Sequence, residues 1–174
     1  MKNKKIWLIV MLSSLFLVTG CGKENTTNNG TKALSYTNKF ECTRTETYTT
    51  SQVYYLTKQE TLNEEDNGKT AMETTIARSY DFNKSGSELL AYYEITTYNF
   101  LVNYDMEAIK EIFEETCKSK DKDTYKNCNV SLKDKTITVV SEVNLNSDAS
   151  KEYLSSVTLD SIKENYAESP YTCK

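Results

Sequence analysis

Four cysteines in the body of the chain have spacings that indicate their chemistry. They lie at Cys42, Cys117, Cys128 and Cys173. Disulfides are typical of an even number of cysteines in an exported domain, and four cysteines allow three pairings. Free buried thiols and a metal site are the alternatives, but no Cys-x-x-Cys pair is present to favour zinc. We predict disulfides, with Cys117–Cys128 across one short loop and Cys42–Cys173 near the ends of the folded region as candidate links.

Tyrosine is the second residue in surplus, with 13 copies among 174 residues. A tyrosine side chain offers a ring face and a hydroxyl, a combination that suits sugars and protein interfaces. Tyrosine is also common in strands, so part of the surplus is expected in the core. The candidate binding patch consists of five tyrosines in or near predicted strands: Tyr54, Tyr55, Tyr92, Tyr93 and Tyr98.

Histidine is absent from the chain. This excludes a Ser-His-Asp triad, a Cys-His dyad and imidazole-ligated metals. The formal net charge is −4, and it is −7 without the first twenty residues, which hold three lysines and no acid. A nucleic-acid-binding domain needs a basic face, so this balance argues against that partner. We predict no catalytic residue, no cofactor and no metal.

The first twenty residues have the features of a targeting segment. A basic start is followed by the thirteen-residue apolar run 6–18, which is short for a permanent span and suits a signal-peptide core. The run ends in Val18-Thr19-Gly20-Cys21, which resembles the lipobox of bacterial lipoproteins. That resemblance implies a diacylglyceryl group on Cys21 and cleavage by signal peptidase II after Gly20. Two acyl chains are sufficient for stable anchoring.

Composition divides the remainder into a tether and one domain. Residues 22–35 are polar, rich in Asn and Thr, and have no apolar period. We therefore expect a cleaved signal peptide (1–20), a lipid-anchored flexible tether (21–36) and a single globular domain (37–174). A domain of that length can bury one core.

Periodicity within the domain predicts an α+β fold. The strand patterns cover residues 40–48, 74–83, 88–100, 128–132 and 136–143, and residues 52–57 are expected to continue the first strand or to pair with it. Amphipathic helices are predicted over 103–118 and 158–167, and a short helical turn over 152–154. We expect an antiparallel sheet of about four to six strands, including two hairpins, with both amphipathic helices packed on one face.

The arrangement of elements and cysteines resembles small lipoproteins of low-GC Gram-positive bacteria, including the YehR-like group. The resemblance is carried by the early ECTRTE strand, the helix ending near Cys117, the CNVSLKDKTITV hairpin and the closing YTCK. It implies a sheet packed by helices and an extracytoplasmic location, and it supplies no active-site residue.

Two functions are compatible with these features. The first is a lipid-anchored, non-catalytic envelope protein on the extracytoplasmic face of the cell membrane, bound to a cell-wall component or another surface protein. The second is a histidine-independent enzyme that acts on an envelope substrate through carboxylates. A contiguous aromatic surface favours the first function, and a pocket holding two close carboxylates favours the second.

Overall fold

The computed structural model of the protein describes residues 38–174. The predicted signal peptide, Cys21 and the predicted tether lie outside the described residues. No helix within residues 38–174 is long and apolar enough to cross a membrane.

Six strands form one antiparallel sheet in the order β4-β5-β3-β2-β1-β6. Their bounds are β1 Asn38–Thr49, β2 Thr70–Phe82, β3 Leu89–Phe100, β4 Tyr125–Lys133, β5 Thr136–Val143 and β6 Thr172–Cys173. Both predicted hairpins are present, as β2–β3 and β4–β5. Asp134 adopts a left-handed backbone conformation, with φ 55°, in the tight β4–β5 turn.

The described part of the chain has four α-helices and one short 3₁₀ helix, Glu64–Asp66. The α-helices are α1 Thr50–Thr57, α2 Met106–Lys118, α3 Asp148–Leu154 and α4 Leu159–Tyr166. The predicted α+β class and the antiparallel sheet are confirmed.

Helix α1 corrects the prediction of a strand over 52–57. The backbone N–H of Thr49 donates to Oε1 of Gln52 at 2.8 Å, as in a capping box that begins a helix. Lys58 has a φ of 58° and ends the helix in the left-handed region. Val53 and Thr57 are buried on one side of the helix. Local capping therefore overrides the β propensity of the Val-Tyr-Tyr run.

The core has two main clusters of buried side chains. One surrounds Ile109 of α2 and includes Met72, Phe100 and Ile137 from the sheet. Met106 and Phe113 of α2 are only partly buried against it. The other surrounds Ile162 of α4, and its buried strand residues are Phe40, Cys42, Tyr80 and Phe82.

The turn between β2 and β3 positions the start of α4. Gly86 lies in that turn with φ 73°, a conformation that favours glycine, and its carbonyl accepts from the backbone N–H of Leu159 at 2.8 Å. A Cβ on Gly86 would lie 3.0 Å from the Cβ of Leu159. The turn and the helix therefore meet in close contact, and a side chain at position 86 would strain both the backbone and this contact.

Both candidate disulfides are present. Cys42–Cys173 joins β1 to β6, and Cys117–Cys128 joins the C-terminal turn of α2 to β4. The backbones of Glu41 and Lys174 exchange two hydrogen bonds beside the first bridge. The closing segment of the domain is therefore held on β1 by covalent and backbone contacts together.

Candidate functional site

The only two arginines of the chain meet at one tyrosine ring. Arg44 lies on β1 and Arg78 on β2, and their guanidinium carbons are 5.1 and 5.7 Å from the ring centre of Tyr171. Both distances fall in the range of a cation–π contact. Tyr171 lies in the segment between α4 and β6, so the Cys42–Cys173 bridge two residues later holds its ring over the sheet.

Three further tyrosines surround Arg78. The rings of Tyr80 and Tyr92 stack with centres 4.6 Å apart and planes 3° from parallel. The hydroxyls of Tyr80 and Tyr166 lie 3.0 Å apart, and Nη1 of Arg78 donates to the Tyr166 hydroxyl at 3.3 Å. We call these side chains the Arg–Tyr cluster: Arg44, Arg78, Tyr80, Tyr92, Tyr166 and Tyr171.

The two arginines differ in how their charge is balanced. Arg44 forms an ion pair with Glu46 at 2.9 Å. Within residues 38–174, no carboxylate oxygen lies within 4.0 Å of the Arg78 guanidinium. Glu94 is opposite Arg78 in the β2–β3 register, but its carboxylate accepts from the hydroxyls of Tyr92 at 3.2 Å and Tyr125 at 2.7 Å.

The hydroxyls of three tyrosines in this region, Tyr80, Tyr92 and Tyr125, stay protonated at neutral pH. Burial raises the pKa of Tyr80, Tyr92 and Tyr125 well above the ordinary value of 10. Protonated phenols can donate and accept hydrogen bonds, but they carry no negative charge to offset Arg78.

A lysine and a serine form a close pair beside the cluster. Nζ of Lys120 donates to Oγ of Ser141 at 2.8 Å and lies 3.9 Å from the ring centre of Tyr125. Burial lowers the pKa of Lys120, as in the Ser-Lys pairs of some acyl-transfer enzymes. However, Ser141 is only 2% exposed, and its strand β5 is paired with β4 on one side and β3 on the other. An acyl substrate cannot reach this hydroxyl in the folded sheet, so we interpret the pair as a buried lysine satisfied by a serine.

A pocket of about 580 Å³ opens next to the Arg–Tyr cluster and shares Tyr166 and Tyr171 with it. Its apolar wall includes Phe40 and Leu159. Its lining contains no Asp or Glu, and three lysines contribute to it: Lys39, Lys163 and Lys174. Lys39 and Lys174 pair with Glu41 at 2.9 and 3.8 Å, so the third lysine, Lys163, gives this aromatic-walled cavity a positive charge of its own. No group of three or more Cys, Asp or Glu side chains in the described part of the chain could hold a metal ion.

The five tyrosines of the predicted patch do not form one surface, which corrects that part of the interpretation. Tyr92 belongs to the Arg–Tyr cluster, whereas Tyr93 follows it on β3 and therefore points to the other side of the sheet. Tyr98 packs on Phe113 of α2, with ring centres 4.3 Å apart. Tyr54 and Tyr55 are exposed on α1, where they line a separate pocket of about 400 Å³.

Sequence reasoning missed most of the Arg–Tyr cluster. It selected Tyr92 and omitted Tyr80, Tyr166, Tyr171 and both arginines. One signal was available in the alternating pattern of β2, where Arg78 shares a side with Ile76 and Tyr80. A cation on the apolar side of a strand is unusual and is a good indicator of a site.

A family model described as "Putative peptidoglycan binding domain" matches residues 61–167. The match covers more than half of the chain and includes Arg78, Tyr80, Tyr92 and Tyr166. No curated protein and no solved structure matches the chain. Because the model spans β2 through α4, the chain belongs to this peptidoglycan binding domain family.

Proposed function

We propose that this chain is a lipid-anchored, non-catalytic protein that binds peptidoglycan on the outer face of the cytoplasmic membrane. The family match over residues 61–167 is the observation that carries the binding role. The lipobox at 18–21 supports the anchor, since lipidation would place the domain beside the wall. We include in the same proposal the resemblance to YehR-like lipoproteins of low-GC Gram-positive bacteria, because that resemblance also implies an extracytoplasmic location.

We infer that α2 and α4 cover the same face of the sheet. Phe113 of α2 contacts Tyr98, which pairs with Thr74, and Tyr166 of α4 contacts Tyr80. Thr74 and Tyr80 are six residues apart on β2 with no register shift between them, so their side chains share a face. The Arg–Tyr cluster and its pocket would then lie on the helix-bearing face.

The surface chemistry of this region suits a cell-wall ligand. Aromatic rings pack against the apolar faces of sugars, and hydroxyls and cations bind polar groups. Tyr166 and Tyr171 line the adjoining pocket, two guanidinium groups contact the Tyr171 ring, and Lys163 adds a further cation. We propose that peptidoglycan binds here rather than at the acidic pocket beside Tyr54 and Tyr55, whose lining includes Glu60 and Glu64.

The anchor would keep the domain close to the membrane. Sixteen residues separate Cys21 from Asn38, where β1 begins. A flexible chain of that length has an r.m.s. reach of roughly 20 Å. The domain would therefore meet the inner layers of the wall.

Co-sedimentation with purified peptidoglycan sacculi tests the binding role. We expect the full-length chain, held in mild detergent, to pellet with intact sacculi and to stay in solution after muramidase digestion of the sacculi. Tyr171→Ala should weaken binding, whereas Tyr55→Ala, a matched change at an exposed ring, should not. A wild-type chain that remains in the supernatant with intact sacculi would contradict the proposal.

Chromatography of the soluble fraction from the same incubation tests the non-catalytic role. We expect no muropeptides to be released from sacculi by the wild-type chain. Release that depends on the protein would instead support the histidine-independent enzyme.

A further inference from the structure

Arg78 is a half-buried cation whose hydrogen-bonding capacity is mostly unused within the described residues. Among residues 38–174, its guanidinium makes one hydrogen bond, from Nη1 to the hydroxyl of Tyr166. Its Nε is buried and has no hydrogen-bond partner in the described part of the chain, and the same is true of Nε of Arg44. An unsatisfied buried donor costs free energy, and a buried unpaired charge costs more.

Arginine cannot relieve this cost by losing its proton, because its pKa is too high. The contact with the Tyr171 ring offsets part of the cost. The acid that faces Arg78 across the strands, Glu94, is already bound by two tyrosine hydroxyls. The site therefore has a positive charge and free donors ready for an anion.

A guanidinium group is a planar fork of parallel N–H donors that matches the two oxygens of a carboxylate. The glycan hydroxyls of peptidoglycan are neutral and cannot balance Arg78, whereas its peptide stems carry free carboxylates. We propose that Arg78, with Arg44 beside it, binds a carboxylate of a peptidoglycan peptide stem. This assignment rests on the proposed peptidoglycan-binding function.

The neighbouring pocket provides room for the rest of such a peptide. Neither arginine lines the pocket, but Tyr166 and Tyr171 line it and also contact Arg78, so a ligand in the pocket would lie one side chain away from Arg78. Phe40 and Leu159 offer an apolar wall for small peptide side chains. Of the three lysines around the pocket, Lys39 and Lys174 already pair with Glu41, and Lys163 adds a positive charge that favours an anionic ligand over a neutral one.

Isothermal titration of the full-length chain in detergent micelles can test the assignment from the ligand side. The probes are a disaccharide-tripeptide muropeptide and the same compound with its carboxylates converted to primary amides. We expect the free acid to bind at least tenfold more tightly than the amide. The disaccharide without a peptide, whose only carboxylate is the lactyl group of muramic acid, should bind as weakly as the amide.

Two conservative variants test the protein side. Arg78→Lys keeps the charge and removes the fork, so it should reduce the affinity for the free acid to that for the amide. Arg44→Lys should also reduce the affinity for the free acid. Lys133→Gln, at an exposed position in the β4–β5 hairpin, should leave both affinities unchanged.

The outcomes separate this inference from the function on which it rests. Equal affinity of the wild-type chain for acid and amide would overturn the inference and leave peptidoglycan binding intact. Binding of sacculi without binding of the muropeptide would also overturn it, as would a disaccharide that binds as tightly as the free acid. Failure to bind both sacculi and muropeptide would overturn the proposed function itself. The amide comparison needs no substitution, so a variant that fails to fold does not affect it.

Discussion

The hydroxyl of Tyr166 lies 3.3 Å from Nη1 of Arg78, although 88 residues separate the two in the chain. The same hydroxyl is 3.0 Å from that of Tyr80. Helix α4 is therefore fixed on the sheet by a polar contact as well as by the burial of Ile162. The contact also sets how the Arg78 guanidinium is oriented beside the pocket.

Tyr166→Phe should test the energetic role of this hydroxyl. The substitution keeps the ring contacts with Phe40 and Tyr171 and removes the acceptor for Arg78. A hydrogen bond to a charged group contributes about 1.5–3 kcal/mol, and we expect the lower end because Arg78 is partly exposed. Urea unfolding followed by circular dichroism would measure this loss in the free energy of unfolding. Tyr153→Phe, at a ring that is 66% exposed, is the control, and an equal effect from both would contradict the prediction.

Ile109→Ala should strongly destabilise the packing of α2 on the sheet. Ile109 is completely buried, with Met72, Phe100 and Ile137 in the same cluster. Truncations of this kind cost about 2–5 kcal/mol. Glu111→Ala, at an exposed position on the same helix, should change the free energy of unfolding by less than about 0.5 kcal/mol. Similar urea midpoints for the two variants would show that this face of α2 is not in the core.

Removal of either disulfide should lower the free energy of unfolding, by an amount that differs because the two bridges close loops of different length. Their sequence separations are 131 residues for Cys42–Cys173 and 11 residues for Cys117–Cys128. The chain-entropy model gives a stabilisation of about 5 and about 3 kcal/mol respectively. Paired Cys→Ala variants compared by urea unfolding would measure the difference. A larger loss on removal of Cys117–Cys128 would contradict the prediction.

Stability should fall in alkaline solution, partly because of Tyr48. Burial, with the hydrogen bond and charge of Glu46, raises the pKa of Tyr48 to about 12. The folded state then holds the proton more tightly than the unfolded state, whose tyrosine pKa is about 10. This contribution is fully present below about pH 10 and is lost as the pH rises through about 12. Between pH 9 and 11, the free energy of unfolding should depend less on pH in Tyr48→Phe than in the wild type. The same pH dependence in both proteins would contradict the prediction.

Cys21→Ser should release the protein from the membrane fraction. The substitution removes the thiol that the lipobox presents for acylation, and with it the two acyl chains. Cell fractionation in detergent-free buffer would show the protein in the soluble fraction. A variant that still sediments with membranes would contradict the lipid anchor.

Long periodic segments of the chain predicted their structures well. The alternation in β2 identifies a strand, and the spacing of Met106, Ile109, Phe113 and Cys117 by three, four and four residues identifies helix α2. In each case one face is apolar over several turns or pleats. The strand predicted over 52–57 was wrong because its tyrosines favour strands, while the Thr49–Gln52 capping contact starts a helix. A local hydrogen bond of this kind leaves no trace in a hydrophobic pattern.

The candidate site was much harder to predict than the fold. Arg44, Arg78 and Tyr171 come together only because β1 pairs with both β2 and β6. No short motif encodes that pairing, since it depends on strand order across the whole domain. The surplus of tyrosine correctly indicated an aromatic region. The five predicted tyrosines, however, lie on different faces of the sheet and on helix α1.

The position of β1 determines how the domain would respond to mechanical force. If the domain is held at Asn38 by an anchor and at Arg78 and Tyr171 by the wall, tension runs along β1. Backbone hydrogen bonds in an antiparallel ladder are perpendicular to the strands, so this load shears those of the first part of β1, from Asn38 to Cys42, together instead of unzipping them singly. The Cys42–Cys173 bond lies four residues into β1 and transfers load to the strand that follows Tyr171. The Arg–Tyr cluster should therefore stay assembled while the protein is under tension.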